Sequence, residues 1–533
     1  MGTSSYLPFL PPVLWDRPPA AGELPLAATL RVFEKILTGI DDGVVVSHGA
    51  HDHEGLERVI EGLHHLFDAR TVPEPFLAYL ASWLGLHFPD IWDGYQRRKI
   101  TGQIVQIYRA RGLKAGLDRY LELYTVAATR PRIVVDDASK VLFMRPARGQ
   151  RPPIYTIASQ LPLVSPTCIV RSPDGALIVG ELGPHGAGDE AIWRLLPDGQ
   201  PPYSGAPPVP QRVGPVGWNL TQPVAVAVDD GAPWNLFVLD RVLVPGLPAL
   251  YRLASPGLNT ATTLATRAAL GMVWPVAMTR DPATGHLLIL DRGAIPGGGA
   301  APPFILDVTP SPFNVVKQTM LNILIEPLSI AVLPGGDLLV GDAREQDQSG
   351  GNPPGTPLPP GNLVRITRGV GAWTGVNVLS AVPNGPNPLV APMALALDDA
   401  GDVLVADLGL KAVQSPASPY VREVAEPAMI YRVTLGAVPT VERASETTQL
   451  VTPTGMAYFD GALYLTDRGE YADAALFGTQ RDWRSLPHEF GVVLHFSLQR
   501  TNSAQRRRIA QDVREIIDTE TAAHTDWTMV FGI

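Results

Sequence analysis

Six carboxylates recur at matched positions along the chain, and they are the residues best placed to do chemistry. Each one ends the second of two apolar strands, and the set comprises Glu181, Asp240, Asp291, Asp342, Asp407 and Asp467. If they converged, their oxygens could hold a hard cation such as Ca²⁺, as a calcium-dependent hydrolase or lactonase would require. A catalytic centre, however, breaks the symmetry of a repeat, whereas these acids preserve it. We therefore predict that each acid accepts backbone N–H groups at the end of its own strand.

Other groups with metal-binding or nucleophilic chemistry are scattered. The histidines within 51–53 are too far from those at 64–65 for pairing on one helical turn, and no cysteine assists them. The one cysteine, Cys168, lies in an apolar strand and is interpreted as a small core residue. The acids after Asp342 do not follow the EF-hand spacing, and no GxSxG, Walker or strand–helix GxGxxG motif occurs. The sequence therefore predicts no catalytic residue, no metal and no cofactor.

The acids belong to six copies of one pattern. Each copy has a proline, an alternating apolar strand, a turn with Gly or Asp, and a second strand that ends in the acid. The prolines that begin the copies are Pro166, Pro223, Pro275, Pro327, Pro392 and Pro453. Third strands follow, such as IWRL at 192–195 and IYRV at 430–433. Repeats of this length and composition are typical of the blades of a β-propeller, and six blades are predicted.

The sixth copy has no fourth strand after it, whereas IYTIA at 154–158 is a spare strand before the first copy. Because closure of the ring removes open strand edges, we expect the sixth blade to be completed from the N-terminal side. This closure would place both segments that flank the ring on one face. The long connections between second and third strands, at 345–361, 410–427 and 468–487, would lie on the opposite face. Loops of this length are usually functional or disordered.

The length, charge and composition of the chain exclude several classes of protein. A chain of 533 residues exceeds the usual size of one hydrophobic core, so more than one domain is expected. The net charge of −10 and the 18% of charged residues argue against nucleic-acid binding. No run approaches the ~20 apolar residues of a membrane helix, and the N-terminus lacks the basic segment of a signal peptide. We expect synthesis in the cytoplasm without membrane insertion.

Apolar residues recur at helical spacing on both sides of the repeats. Helices are predicted at 26–37, 54–67, 74–84, 95–109 and 113–123, followed by a strand at 132–135. After the repeats, a helix at 502–521 has an apolar stripe, and a short strand at 527–531 follows it. Because a lone amphipathic helix must bury its stripe, we expect it to pack with the N-terminal helices in one discontinuous domain.

The flanking segments resemble a known family. YLPFLPPVL (6–14), PEPFLAYLASWLGL (73–86) and YRARGLKAGLDRYLELYT (108–125) are similar to the phage tail protein I family of baseplate-wedge proteins. VVLHFSLQ (492–499) and RRRIAQDVREIIDTETAAHTDW (506–527) match the strand and last helix of that family. The repeats resemble NHL-type propellers. The strand at 492–496 fits both the third strand of the sixth blade and the family's strand, and both assignments stay open.

The resemblance and the repeats together imply a multidomain α and β protein. A six-bladed β-propeller at 151–490 would be inserted into a discontinuous, mainly α-helical (α+β) tail-protein domain formed by 1–150 and 491–533. The resemblance implies a structural baseplate component of a contractile injection system or phage-like particle, without enzymatic activity. Its implied partner is a larger wedge subunit similar to tail protein J, in a six-fold arrangement around the tail. Such a chain would be assembled into a particle and become extracellular after release.

Basic and aromatic residues on the predicted fourth and fifth helices are candidates for contact with such a partner. The basic residues could pair with an acidic neighbouring subunit, or form a solvated helix face. The tyrosines could lie in the bundle core or at a subunit contact. The candidates are Arg97, Arg98, Arg109, Arg111, Lys114, Tyr120 and Tyr124.

Two alternatives from other classes stay open at this point. The propeller could act as a module that binds a glycan or a cell-surface receptor, which binding of isolated residues 153–490 to a glycan array would favour. The propeller could instead be a calcium-dependent hydrolase or lactonase. Hydrolysis of a lactone or ester that a chelator abolishes would favour that reading.

Overall fold

A computed structural model describes most of the chain. The described residues are 4–14, 25–39, 55–86, 88, 92–125, 132–136, 140–159, 163–183, 190–195, 210–293, 301–320, 323–344, 358–369, 371–379, 387–414, 421–445, 450–469, 489–496 and 501–532. The chain divides into two compact units, Met1–Arg109 and Ala110–Ile533.

The first unit is helical. Its elements are α1 (Leu26–Thr38), α2 (Leu56–Glu61) with a following 3₁₀ segment (Gly62–Phe67), α3 (Glu74–Trp83) and α4 (Gly94–Arg109). The first helix ends where Gly39 adopts a left-handed φ of 69°, a conformation that glycine tolerates without strain. A small core of Ala69, Val72, Leu77 and Leu80 holds the loop before α3 against that helix. The helical spacing of apolar residues predicted these elements. The one difference is that the second predicted helix continues as a 3₁₀ segment after Glu61.

The second unit contains a β-propeller of six four-stranded antiparallel sheets. Blade 1 comprises β4 (Pro166–Arg171), β5 (Leu177–Glu181), β6 (Ala191–Leu195) and β7 (Gln211–Val213). Blade 2 comprises β8 (Pro223–Val228), β9 (Asn235–Asp240), β10 (Pro248–Ala254) and β11 (Ala261–Thr266), which leads into the short helix α6 (Arg267–Leu270). Blade 3 comprises β12 (Pro275–Arg280), β13 (Leu287–Asp291), β14 (Phe304–Pro310) and β15 (Phe313–Thr319).

The remaining blades follow the same order. Blade 4 comprises β16 (Pro327–Val332), β17 (Leu338–Asp342), β18 (Asn362–Thr367) and β19 (Thr374–Asn377). Blade 5 comprises β20 (Pro392–Leu397), β21 (Val403–Asp407), β24 (Met429–Thr434) and β25 (Thr440–Arg443), with a hairpin of β22 (Leu410–Gln414) and β23 (Val421–Ala425) inserted before its third strand. Blade 6 begins with β26 (Pro453–Phe459) and β27 (Ala462–Asp467).

The first strands of the six blades contact one another in a closed circle, so they form the inner wall of the ring. Hydrophobic clusters fill the space between adjacent blades, because each sheet is apolar on both faces. The six-bladed propeller predicted from the repeats is confirmed.

The sixth blade is closed by two strands from the N-terminal side. β2 (Lys140–Met144) pairs with β27, and β3 (Tyr155–Ser159) pairs with β2. The expected completion from the N-terminal side is therefore correct for the fourth strand. The third strand is β2, so the alternative that placed residues 492–496 there is wrong. The propeller thus starts at Lys140, before the predicted boundary at 151.

Residues 492–496 belong to a second domain, whose sequence is interrupted by the propeller. β28 (Glu489–His495) lies between β1 (Arg132–Asp136), which is antiparallel to it, and β29 (Asp526–Gly532), which is parallel to it. Helix α5 (Lys114–Thr125) packs on β1 and on α7 (Ser503–Glu520). The side chains that α7 buries include its predicted stripe, Ile509, Val513, Ile516 and Ile517. Segments before and after the propeller thus form one α/β domain, and the predicted fold class is confirmed.

The chain enters and leaves the propeller at the same end. Lys140 begins β2, Asp467 ends β27, and these two residues are directly paired. Since second strands end and third strands begin at this end, the described connection of blade 2, at 241–247, lies on the side of the α/β domain, whereas most of the predicted loops at 345–361 and 468–487 lies outside the described residues. The prediction that these connections lie opposite the flanking segments is wrong, because the closure uses two N-terminal strands rather than one.

Candidate functional site

The six repeated acids lie at the ends of β5, β9, β13, β17, β21 and β27, and all are buried. The carboxylate of Asp291 accepts hydrogen bonds from the backbone N–H groups of Val273 at 2.8 Å and Trp274 at 2.9 Å. It also accepts one from Gly293 at 2.8 Å. The other five acids accept bonds from the corresponding amides that precede each blade's proline. Each acid therefore ties the end of one strand to the beginning of its neighbour within a blade.

Burial affects the acidity of this set. The pKa of Asp240 is raised to about 6 because burial outweighs the amide hydrogen bonds from Thr221 and Gln222, which lower it. Burial raises the pKa of Asp291 and of Asp407 in the same way. Within the described ranges, no group of three or more His, Cys, Asp or Glu side chains is placed to hold a metal ion.

The remaining groups that the sequence singled out for chemistry have local partners where they are described. His64 Nδ1 lies 2.6 Å from the carbonyl oxygen of Glu61, one turn back. Cys168 is buried, and burial raises the pKa of its thiol to about 11. The histidines within 51–53 lie outside the described residues.

Two of the predicted contact arginines are used inside the first unit. Arg98 Nη1 donates to the carbonyl oxygens of Val72 at 2.6 Å and Ala69 at 3.1 Å, so it closes the turn before α3. The guanidinium of Arg97 lies over the ring of Phe88, 5.7 Å from its centroid. Both side chains therefore hold this unit together. Arg109, the last residue of α4, is exposed and stays a candidate.

The predicted contact residues on α5 lie in the α/β domain. Tyr120 and Tyr124 are buried, and Tyr124 donates to Asp512 Oδ2 of α7 at 2.8 Å. Of the two alternatives for these tyrosines, a place in the core is therefore the correct one, and the hydrogen bond of Tyr124 joins the two halves of the domain. Arg111 Nε lies 3.5 Å from Glu520 Oε2, which links the same halves. Lys114 is half-buried at the start of α5.

A different surface, on α1, α2 and the 3₁₀ segment, carries exposed apolar side chains. On α2 and the 3₁₀ segment they recur at i, i+3, i+4, i+7 and i+11, and α1, which packs against α2, adds four more. Each is between 42% and 65% exposed, and the set is Val32, Phe33, Ile36, Leu37, Leu56, Val59, Ile60, Leu63 and Phe67. We call this set the helical apolar surface. The spacing of apolar residues predicted helices at 26–37 and 54–67, but it did not predict that the unit leaves these nine side chains exposed.

The orientation of α1 explains why its four apolar side chains in this surface are exposed. Glu34, on its other side, is 1% exposed and accepts hydrogen bonds from the backbone N–H of Ser5 at 3.1 and 3.2 Å. Arg31 Nη1 lies 3.2 Å from the same carboxylate. The hydroxyl of Ser5 also donates to Glu34, and these bonds lower its pKa to about 2. The N-terminal segment thus covers the polar side of α1, and the apolar side is left outward.

Residues 50–131 match the family model described as phage tail protein (Tail_P2_I). This match confirms the resemblance seen in the sequence and supports a role in a phage-type tail or baseplate, in a protein assembled into a virion-like particle. A search of curated proteins finds no match. Within the described residues, no helix is long and apolar enough to cross a membrane.

Solved structures similar to the chain are β-propeller proteins. A gluconolactonase from Xanthomonas campestris is 13% identical, with a TM-score of 0.37, and covers 64% of this chain and 99% of its own. Virginiamycin B lyase from Staphylococcus aureus is 12% identical, with a TM-score of 0.32, and covers 62% and 99%. The nidogen/laminin complex supplies a chain that is 13% identical, with a TM-score of 0.36, and covers 56% and 94%.

These neighbours correct one prediction. The sequence predicted that the chain is not an enzyme, but a gluconolactonase and a lyase are among the proteins that share its propeller architecture. The architecture is therefore one that enzymes use, and the exclusion of enzymatic activity does not stand. At these identities and TM-scores the similarity describes the fold and assigns no reaction to this chain.

Proposed function

We propose that this chain is a structural subunit of the baseplate of a contractile injection system or phage-like tail. It docks onto a neighbouring subunit through the helical apolar surface and carries the propeller on its α/β domain. The observation that carries the proposal is the coincidence of the α2 stripe with the segment that matches the tail-protein family.

The size of the helical apolar surface supports docking. Nine side chains of roughly 150–200 Å² each, about half exposed, present on the order of 800 Å² of apolar area. A standard protein–protein interface buries ~800 Å² per partner, whereas the largest apolar patch of a typical monomer is ~300–600 Å². An uncovered surface of this size and composition favours a permanent partner.

The connection between propeller and α/β domain supports a role in carrying the propeller at a defined orientation. Arg132 of β1 is buried and donates to the carbonyl oxygens of Leu408 and Val451, both at 2.7 Å. These two carbonyls belong to blades 5 and 6, so one side chain of the domain holds two blades. Val134, Val451 and Val493 form an apolar cluster at the same junction.

The resemblance to baseplate-wedge proteins suggests the partner and the arrangement. We propose a wedge subunit similar to tail protein J as the neighbour that covers the helical apolar surface, with copies in six-fold positions around the tail. In this arrangement Arg109, at the exposed end of α4, would pair with acidic groups of the neighbour and set the docking orientation.

The test is a charge placed on the helical apolar surface. The variant Ile60→Glu puts a carboxylate at a side chain that is 65% exposed, so the isolated chain should keep its melting temperature. The matched control is Val216→Glu, at a fully exposed loop residue of the propeller. In particles purified from cells that produce the whole assembly, we expect at least tenfold less of the Ile60→Glu chain and normal amounts of the control. Normal incorporation of both variants would contradict docking through this surface.

A further inference from the structure

Every blade has two matched positions at the end of the ring where the α/β domain lies. The first position precedes the proline of the first strand, and the second follows the repeated acid. In all six blades the backbone N–H of the second position donates to the carbonyl oxygen of the first, at 2.8–3.0 Å. Since the first strands form the inner wall, these pairs surround the mouth of the central channel. We call them the mouth pairs, and in blade order they are Ser165/Leu182, Gln222/Arg241, Trp274/Arg292, Glu326/Ala343, Ala391/Leu408 and Thr452/Arg468.

The side chains of the mouth pairs in blades 2, 3 and 4 form one continuous row. The guanidinium of Arg241 lies over the ring of Trp274 in the next blade, 4.4 Å from its centroid, and its Nε donates to Gln222 Oε1 at 2.7 Å. Arg292 Nε likewise forms an ion pair with Glu326 Oε1 of the next blade. In blades 1 and 5 both members of the pair are uncharged, so this row breaks the symmetry of the repeat. A site for a single ligand must break it in the same way.

The row presents hydrogen-bond donors to solvent. Within the described part of the chain, the terminal nitrogens Nη1 and Nη2 of Arg241 and of Arg292 donate to no protein group, and neither does Nε1 of Trp274. These nitrogens are not buried, and the side chain of Arg292 is 25% exposed. Arg132 attaches the α/β domain to blades 5 and 6, so the row lies on the other half of the channel mouth. Because arginine and tryptophan side chains only donate, a ligand that fits the row must supply acceptors.

The charges around the row favour a ligand with one negative charge. Burial, together with the nearby charge of Arg292, lowers the pKa of Arg241, so the two guanidinium groups lie close enough to repel each other. A negative charge between them would relieve this repulsion. Glu326 already pairs with Arg292, and the buried carboxylate of Asp240 lies near Arg241. Both acids would repel a dianion such as phosphate more than a carboxylate, whose two oxygens match the planar donors of an arginine.

We propose that the row formed by Arg241, Trp274 and Arg292 binds the carboxylate of an acidic sugar, such as a uronic acid, at the mouth of the channel. In a uronic acid the ring oxygen and a hydroxyl group lie next to the carboxylate, so one sugar residue supplies acceptors to both guanidinium groups and to the indole N–H. An acidic peptide side chain carries its carboxylate alone, on a flexible stem, and satisfies fewer of these donors. The inference goes beyond the proposed function and does not depend on it.

Calorimetric titration of the full chain with an oligogalacturonate tests the proposal. Arg241→Gln removes a charge that would bind the carboxylate, so we expect at least tenfold weaker binding. The matched control is Arg468→Gln, which changes the same position of blade 6, where the neighbouring mouth pairs bring no aromatic ring; its affinity should be unchanged. A neutral oligosaccharide of the same length should bind at least tenfold more weakly than the acidic one. Equal affinity of the two variants, or no binding by the unaltered chain at ~10 mM sugar, would overturn the proposal.

A second variant and two further ligands complete the test. Trp274→Phe keeps a ring beneath the guanidinium of Arg241 but removes the indole N–H, so we expect binding to weaken about two- to tenfold. If Arg241→Gln does not fold, as its melting temperature will show, this variant and the comparison of acidic with neutral sugar decide. Hexaglutamate and inorganic phosphate should both bind more weakly than the oligogalacturonate. If either binds as tightly as the sugar, the row is a site for another anion and the proposal is wrong.

Discussion

Replacement of Arg132 by methionine should loosen the junction between the propeller and the α/β domain. The side chain of Arg132 is 2% exposed and lies between β1 and two blades. Methionine keeps most of the apolar length of the side chain but removes the donors to Leu408 and Val451. The expected effect is therefore loss of hydrogen bonding rather than loss of volume.

The magnitude follows from the two carbonyl oxygens that would lose their donor. A buried polar group left without a partner costs about 1–3 kcal/mol, so loss of the donor to two carbonyls should make the variant less stable by about 2–6 kcal/mol at this junction. Because 1.4 kcal/mol corresponds to a factor of ten, exchange of the β1 and β28 amides should accelerate by roughly 30-fold or more.

Exchange measured by mass spectrometry on the full chain is the suitable assay, since a chain of two units need not unfold in one step. The matched control is Arg194→Met, which removes a partly exposed ion pair with Asp174 at 2.8 Å on blade 1. Such pairs contribute about 0–1 kcal/mol, so exchange near the control should change little. If Arg132→Met leaves β1 and β28 as protected as the control does, Arg132 does not hold the junction.

Two further predictions concern the discontinuous domain and the N-terminal segment. Ile517→Ala, at a fully buried position of α7, should destabilise the α/β domain by about 2–5 kcal/mol, as measured by chemical unfolding. The control Gln511→Ala, on the exposed side of α7, should have little effect. Equal effects of the two variants would count against burial of the α7 stripe. The pKa of Glu34 is lowered to about 2, so its contribution to holding Ser5 is complete above about pH 4.5 and is lost as the pH falls towards 2. Proteolysis or exchange of residues 4–14 should therefore increase between these pH values, and Glu34→Gln should remove this pH dependence; persistence of the dependence in the variant would assign it to another group.

The propeller could be predicted because its information is local and repeated. In each copy the proline, the turn and the terminal acid lie within about 20 residues, and the acid bonds to amides in the same blade, as Asp291 does to Val273 and Trp274. Six repetitions of one pattern outweigh the ambiguity of any single short strand. The apolar stripe of α7 could also be predicted, because its apolar residues recur with the period of a helix.

The third strand of the sixth blade could not be found in this way. β2, with the sequence KVLFM, pairs with β27 across more than 300 residues and lacks the arginine that most of the other third strands contain. An apolar run of five residues is compatible with many partners, and only the ring geometry selects one. The sequence left Tyr124 open between the core and a subunit contact for a similar reason, since its partner Asp512 lies on a helix almost 400 residues away.

Because two N-terminal strands close the sixth blade, the α/β domain lies at one end of the propeller and leaves the other end for contacts. Since the α/β domain lies at the end where second strands finish, the turns between first and second strands lie at the opposite end of the second unit. Several acids of these turns pair with arginines, as Asp230 does with Arg280 at 3.1 Å and Asp337 with Arg365 at 2.7 Å. Exposed ion pairs are screened by salt, whereas apolar contacts are not weakened by it. High salt should therefore weaken these ion pairs, but docking through the helical apolar surface should persist.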